Sequence, residues 1–209
     1  MKTIETWFYV GLLAVILLFG VGMYYEGAIS HASPSTSTQS SSNEYNITLV
    51  ITNQNYLASA GQNQPAYYVL ENGKLMSSAQ IYLPGDSLIR MTIINYDTGP
   101  GTTSSAYSKI SGTLNNTEYV FNDTSVNTTA QTGHWISSVP SSDLAHSFTV
   151  PNMNLNIMVP SESIVVAYFH TPSSGVYNWQ CEVPCGTGAS GWGGAMDTPG
   201  WMQGEIVLD

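Results

Sequence analysis

The residues best suited to chemistry in this sequence are its two cysteines, Cys181 and Cys185, in the stretch CEVPCGTG. Two sulfurs four positions apart on a loop can face one point. Such a pair holds a soft metal, closes a disulfide or does thiol redox chemistry, and the spacing alone does not choose among these. The setting strengthens the signal. A strand-like run, VYNWQ, delivers Cys181, and a Gly-rich stretch follows Cys185. His146, in DLAHSFTV, stands 35 positions before Cys181 (181 − 146). No nucleophile elbow, phosphate loop or zinc signature competes with this cluster.

Composition describes the body that must position these residues. The chain has 209 residues, 43% hydrophobic and 9% charged, with four Lys+Arg against fourteen Asp+Glu and a formal charge of −10. An average soluble domain is roughly 25% charged. Four basic residues argue against a nucleic-acid binder, which needs a basic patch to meet phosphates. So little charge also argues against charge-driven disorder and a Glu/Lys-rich coiled coil. Thirteen Tyr, ten Pro and abundant Ser, Thr, Asn and Gly point to an all-β extracytoplasmic domain. A surface of neutral amides and hydroxyls stays soluble in acid, where carboxylates are protonated and every base is cationic. A glycosylated secreted domain at neutral pH accounts for the composition equally well.

Trp7 to Tyr25 reads WFYVGLLAVILLFGVGMYY, nineteen residues without a charge. At 1.5 Å per residue this suits a hydrocarbon core of about 30 Å. Trp7, Tyr9, Tyr24 and Tyr25 stand at its ends as interfacial aromatics do. Lys2 precedes it and no Lys or Arg follows before Lys74, which places the N-terminus in the cytoplasm and the rest outside. A signal peptide cleaved near Ser30-His31-Ala32 is the alternative, but the apolar run exceeds the usual h-region of roughly 7–15 residues. Residues 1–29 are therefore expected to be a single-pass anchor in the cell membrane. Residues 30–44 form a linker in which eight of the ten positions 33–42 are Ser or Thr.

Residues 45–209 read as strands. Asn46–Thr52 opens the domain. In Leu83–Asn95 a PGD turn precedes a strand with Ile89, Met91 and Ile93 on one face and Arg90 and Thr92 on the other. Met153, Leu155, Ile157 and Val159 alternate with Asn154 and Asn156. Ser163–Phe169 is a continuous apolar run fit for a central strand, and Gly175–Gln180 and Gly204–Leu208 close the chain. Short strands at this spacing predict a sandwich or barrel. Residues 98–142 are too long and too rich in Gly, Ser, Thr and Asn for an ordinary connection, and read as an insertion. Sequons at Asn46, Asn115, Asn122 and Asn127 predict glycans on a domain outside the membrane.

The order HSFTVPNMNLNIMVPSES, IVVAYFHTPSSGVYNWQ, CEVPCGTG resembles the cupredoxin domain of subunit II of haem-copper terminal oxidases. The likeness is to the small kind with one N-terminal helix, the archaeal quinol-oxidase type. It covers roughly residues 144–209, with LPGDSLIRMTIIN in support, and residues 98–142 have no counterpart. The resemblance implies an all-β, cupredoxin-like Greek-key sandwich after one transmembrane helix.

In copper-bearing members the dinuclear CuA centre follows the pattern Cys-x3-Cys-x3-His-x2-Met. The resemblance then puts the first imidazole at His146, the bridging thiolates at Cys181 and Cys185, and the carbonyl donor at Val183. The second imidazole falls on Ala189. The thioether falls on Trp192, or on Met202 if the loop is ten residues longer (202 − 192). His31, His134 and His170 match no family position. Each copper of the pair needs an imidazole, so the resemblance implies that CuA is lost and no metal is held here. Outside the cell, Cys181 and Cys185 are then expected to pair as a disulfide, with copper on His146, Cys181, Cys185 and Met202 as the alternative. The implied role is an accessory subunit, without catalytic residues of its own, in a membrane quinol oxidase of an acidophile's respiratory chain. Its partner would be the catalytic subunit I, which carries haem and copper and is fed by the membrane quinol pool. Two other readings are a membrane-tethered copper electron carrier and a cell-surface cupredoxin-like glycoprotein without a redox role.

Overall fold

In LIRMTIIN the buried positions alternate without a break: Ile89, Met91 and Ile93 are fully buried, while Arg90 and Thr92 are half-buried on the opposite face. The computed structural model describes residues 44–58, 63–99, 108–121 and 133–209. Among them are twelve strands: β1 (Glu44–Thr52), β2 (Ala66–Glu71), β3 (Lys74–Ser77), β4 (Gln80–Leu83), β5 (Leu88–Asn95), β6 (Glu118–Phe121), β7 (His134–Ile136), β8 (Leu144–Val150), β9 (Leu155–Pro160), β10 (Ile164–His170), β11 (Gly175–Gln180) and β12 (Gln203–Leu208). One sheet has the order β3-β2-β1-β5-β10-β6-β7, the other β4-β12-β11-β8-β9. β1 runs parallel to β5 and β4 parallel to β12, while the other strand pairs are antiparallel. The expected anchor at Trp7–Tyr25, positions 30–43 of the expected linker, and the sequons at Asn122 and Asn127 lie outside the described residues, while Glu44, expected in the linker, opens β1. Among the described residues no helix is long and apolar enough to cross a membrane.

The inner faces of the two sheets share one core. Leu49, Met91, Ile93, Val165 and Phe169 of the first sheet meet Phe148, Ile157, Trp179 and Ile206 of the second. Each such side chain contributes roughly 1.5–3 kcal/mol by leaving water. Trp179 stacks on Phe148 at 5.1 Å and meets Tyr67 edge-on at 5.2 Å. Its indole N–H donates to the Ser78 carbonyl at 3.2 Å, so its polar atom is satisfied in the interior.

β10 lies between β5 and β6, as its unbroken apolar run predicts. The strand expected from Met153 starts later. Pro151–Met153 form a 3-10 turn and Asn154 takes a left-handed φ of 52° before β9 begins at Leu155. The segment 98–142 has a structural role in its described parts. It supplies β6 and β7 to the first sheet and covers the edge of the second. Ser111 exchanges two backbone hydrogen bonds with Asn156 of edge strand β9, at 2.9 and 3.1 Å. The Glu118 carboxylate takes the next free N–H, that of Met158, at 3.1 Å. An edge strand closed in this way cannot pair with another chain. The β2–β3 hairpin turns through Asn72-Gly73, both at positive φ (50° and 75°), the type I′ geometry that an Asn-Gly pair favours.

Candidate metal centre

Three strands bring the site together. β8 carries His146, β11 ends at Gln180 and hands the chain to Cys181, and the turn after β5 carries Asp97. His146 sits on a strand and not in a loop. The register of β8 against β9 shifts between Leu144 and His146, a bulge of the kind that re-aims a side chain. All seven residues of β8 are buried, so the imidazole is fully enclosed.

Cys181 Sγ is the hub. It lies 3.9 Å from His146 Nδ1, 3.8 Å from Cys185 Sγ and 3.5 Å from the Val183 carbonyl oxygen. The Ser147 backbone N–H points at the same sulfur from 3.4 Å. The donor atoms of His146, Cys181 and Cys185 all fall within 4.8 Å of one another. Cys185 Sγ in turn lies 3.4 Å from Met196 Sδ. Beneath the cluster, Tyr67 donates its hydroxyl to the Ser147 carbonyl at 3.0 Å and meets the His146 ring edge-on at 6.3 Å.

The loop between the sulfurs and β12 explains how Met196 arrives. Gly186 donates to Gly191 at 2.7 Å, and Thr187 and Gly193 exchange hydrogen bonds at 2.8 and 3.0 Å. The extra length therefore folds back on itself as a small flap. The single turn Gly194–Asp197 then drops the Met196 side chain beside Cys185. Gln64 clamps this turn by accepting the Ala195 N–H at 2.8 Å.

In this arrangement Cys181 and Cys185 are free thiols with their sulfurs 3.8 Å apart, where the expected disulfide would need about 2.05 Å. Each sulfur has separate contacts: Ser147 and Val183 for Cys181, Met196 for Cys185. Met202 is fully buried, and its backbone carbonyl accepts the Cys181 N–H at 2.8 Å. Met196 is the thioether beside the thiols. The Val183 carbonyl, the carbonyl donor expected from the resemblance, faces the Cys181 sulfur. Ala189 is exposed on the flap and Trp192 is exposed beyond it. His134 and His170 are exposed on the first sheet. Among the described residues the centre therefore holds one imidazole.

The sequence reading also missed Asp97. Its Oδ2 lies 2.9 Å from His146 Nε2. Burial pushes the Asp97 carboxyl up, but the bond to His146 and the backbone N–H groups of Gly99 and Thr98 outweigh it and hold the group below its ordinary range. Burial pulls His146 down, yet Asp97 and Cys181 together raise it to about 9. Burial pushes the Cys181 thiol up, and the contacts from Cys185 and His146 overturn this and bring it well below an ordinary thiol. Cys185 moves the other way, raised first by its contact with Cys181 and then by burial. Carboxylate, imidazolium and thiolate thus form a line of alternating charge inside the protein. A metal ion would replace the proton at the Nδ1 end of that line.

No known protein family matches the sequence, and no curated protein matches it. Among solved structures, the chain is similar to a chain of a heme-copper terminal oxidase dimer, at 12% identity over 98% of both chains with a TM-score of 0.39. It is also similar to the periplasmic domain of subunit II of cytochrome oxidase from Bradyrhizobium japonicum, at 13% identity over 78% of this chain and 83% of that one, with a TM-score of 0.36. Auracyanin B matches at 13% identity over 80% and 89% of the two chains, with a TM-score of 0.35. Likenesses this distant leave the function to the chemistry of the site.

Proposed function

We propose that this domain holds a single soft metal ion, copper by the chemistry of its donors, in a membrane-anchored, subunit II-like component of a respiratory terminal oxidase. The observation that carries this reading is that His146, Cys181 and Cys185 bring their donor atoms within 4.8 Å of one another, with Met196 Sδ 3.4 Å from Cys185 Sγ. One imidazole, two thiols and a thioether are the donors that select copper over magnesium or calcium. When bound, copper would supply one-electron chemistry at this end of the sandwich. His146 would give its Nδ1 lone pair, the two cysteines their thiolates, and the Val183 carbonyl a weak contact above Cys181. The residues do not fit a dinuclear centre. Two coppers sharing both thiolates each require an imidazole, and Ala189 supplies none.

A second reading is favoured by that same exposed Ala189. The domain would then be a metal-free accessory subunit, capping a haem- and copper-bearing catalytic partner that takes electrons from membrane quinol. Copper counted on this chain separated from its partner, together with haem content and oxygen uptake of the detergent-solubilised assembly, separates the two. One copper per chain supports the mononuclear site. No copper, with turnover on reduced quinol alone, supports the accessory subunit. Two coppers per chain with a mixed-valence signal overturn both.

A further inference from the structure

We propose that Asp97 is the positioning residue of the metal centre: its carboxylate takes the Nε2–H of His146 and so leaves Nδ1 as the nitrogen that faces the sulfurs. This inference rests on the metal reading above.

The geometry is specific. His146 is fully buried and the Asp97 side chain is only 14% exposed, with 2.9 Å between Nε2 and Oδ2. An ionised carboxylate only accepts hydrogen bonds, so Nε2 must carry the proton that the pair shares. The other ring nitrogen, 3.9 Å from Cys181 Sγ, then offers its lone pair once a metal displaces its proton. Metal-bound imidazoles are commonly held by such a carboxylate on the far nitrogen, which fixes both tautomer and ring orientation.

Asp97 is itself built into place. Its own N–H donates to Asn95 Oδ1 at 3.0 Å, and its carbonyl accepts Asn95 Nδ2 at 2.9 Å and the Glu162 N–H at 3.2 Å. Asn95 is fully buried and also donates to the Pro160 carbonyl at 2.9 Å, which ties this turn to the end of β9. Gly99 makes the turn possible. It takes φ +64°, and a Cβ there would lie 2.4 Å from the Ala145 Cα. Strand β8 and the Asp97 turn can therefore approach closely enough for the carboxylate to reach His146.

The test uses the full chain in detergent, loaded anaerobically with Cu(I) in competition with a chromophoric Cu(I) chelator. Asp97→Asn is nearly isosteric, but it removes the charge and replaces an acceptor-only group with one that can turn an N–H toward Nε2, so the Nε2-protonated tautomer is no longer enforced. Affinity for Cu(I) is expected to fall about 10–100-fold, and Asp97→Glu, which keeps a carboxylate, is expected to recover part of it. A merely structural aspartate would not change the imidazole tautomer. In the Cu(I)-loaded wild type, ¹⁵N NMR should show His146 protonated at Nε2 with a downfield, hydrogen-bonded ring proton. Asp97→Asn should lose that signature. Wild type that binds Cu(I) through Nε2, or an Asp97→Asn affinity within twofold of wild type, overturns the assignment. Wild type that takes up no Cu(I) removes the metal reading and, with it, this proposal.

Discussion

Glu118 should make the domain lose stability as the pH rises, and the burial of its carboxyl sets the sign of the effect. The residue is fully buried on β6; one carboxyl oxygen accepts the Met158 N–H at 3.1 Å and the other has no partner. Burial pushes this carboxyl well above its ordinary value of 4.5, against the opposing Met158 bond. The folded state therefore binds a proton that the unfolded chain releases above about pH 4.5. The stabilising contribution is complete below that value and is lost as pH climbs toward the folded pKa. One proton changes stability by at most about 1.4 kcal/mol per pH unit. Each pH unit climbed between about 4.5 and the folded pKa therefore costs no more than about 1.4 kcal/mol, roughly 2–6 °C in melting temperature for a domain of this size. Glu118→Gln keeps an oxygen for Met158 and cannot ionise, so it should melt at the same temperature or higher at pH 7 and show a flatter profile. Thermal unfolding by circular dichroism from pH 4 to pH 8, wild type against variant, reads the difference. The Asp97, His146 and Cys181 contributions are common to both proteins and cancel. Parallel profiles for the two proteins would refute the reasoning.

Other expectations concern the site and its support. Met196→Leu should alter Cu(I) affinity while costing about 1 kcal/mol or less in stability, because the swap nearly conserves volume; Met202→Ala should cost about 2–5 kcal/mol from its core cavity and leave the donor set intact, as chemical denaturation and chelator competition can show. Ala189→His should not yield a dinuclear centre, since position 189 is exposed on the flap; a second copper per chain in that variant would contradict the flap geometry. Trp179→Ala should cost about 3–5 kcal/mol, because its indole fills the space between Phe148 and Tyr67, and urea unfolding measures it. Glycopeptide mass spectrometry should find Asn115 occupied, since it is exposed in a tight turn at φ 60°, and Asn46 less so, because its side chain accepts a bond from Arg90.

Much of the sheet structure is legible along the chain. Ile89, Met91 and Ile93 alternate with polar residues, and Val165–Phe169 forms an unbroken apolar run, so a strand with one buried face and a central strand follow from period alone. The Asn72-Gly73 hairpin was equally readable and was missed, although the dipeptide is the strongest short-range hairpin signal. β6 and β7 were not, because they are three or four residues long and lie within a Ser/Thr/Asn-rich stretch. What that stretch covers, the open edge of β9, depends on contacts between segments some 40 residues apart.

For the site, the sequence by itself determined the donor chemistry: two cysteines at fixed spacing, one histidine upstream, and no histidine after His170. That was enough to exclude a second imidazole at position 189. It could not decide which methionine belongs to the site, because loop length sets spacing along the chain while the flap's own hydrogen bonds set where Met196 lands. Nor could it find Asp97, 49 residues before His146 (146 − 97), whose role exists only because β5 and β8 belong to facing sheets. Side-chain chemistry is a property of each residue alone and can be read one letter at a time. The distances that turn separate donors into a centre come from the packing of two sheets, and sequence separation carries no measure of them.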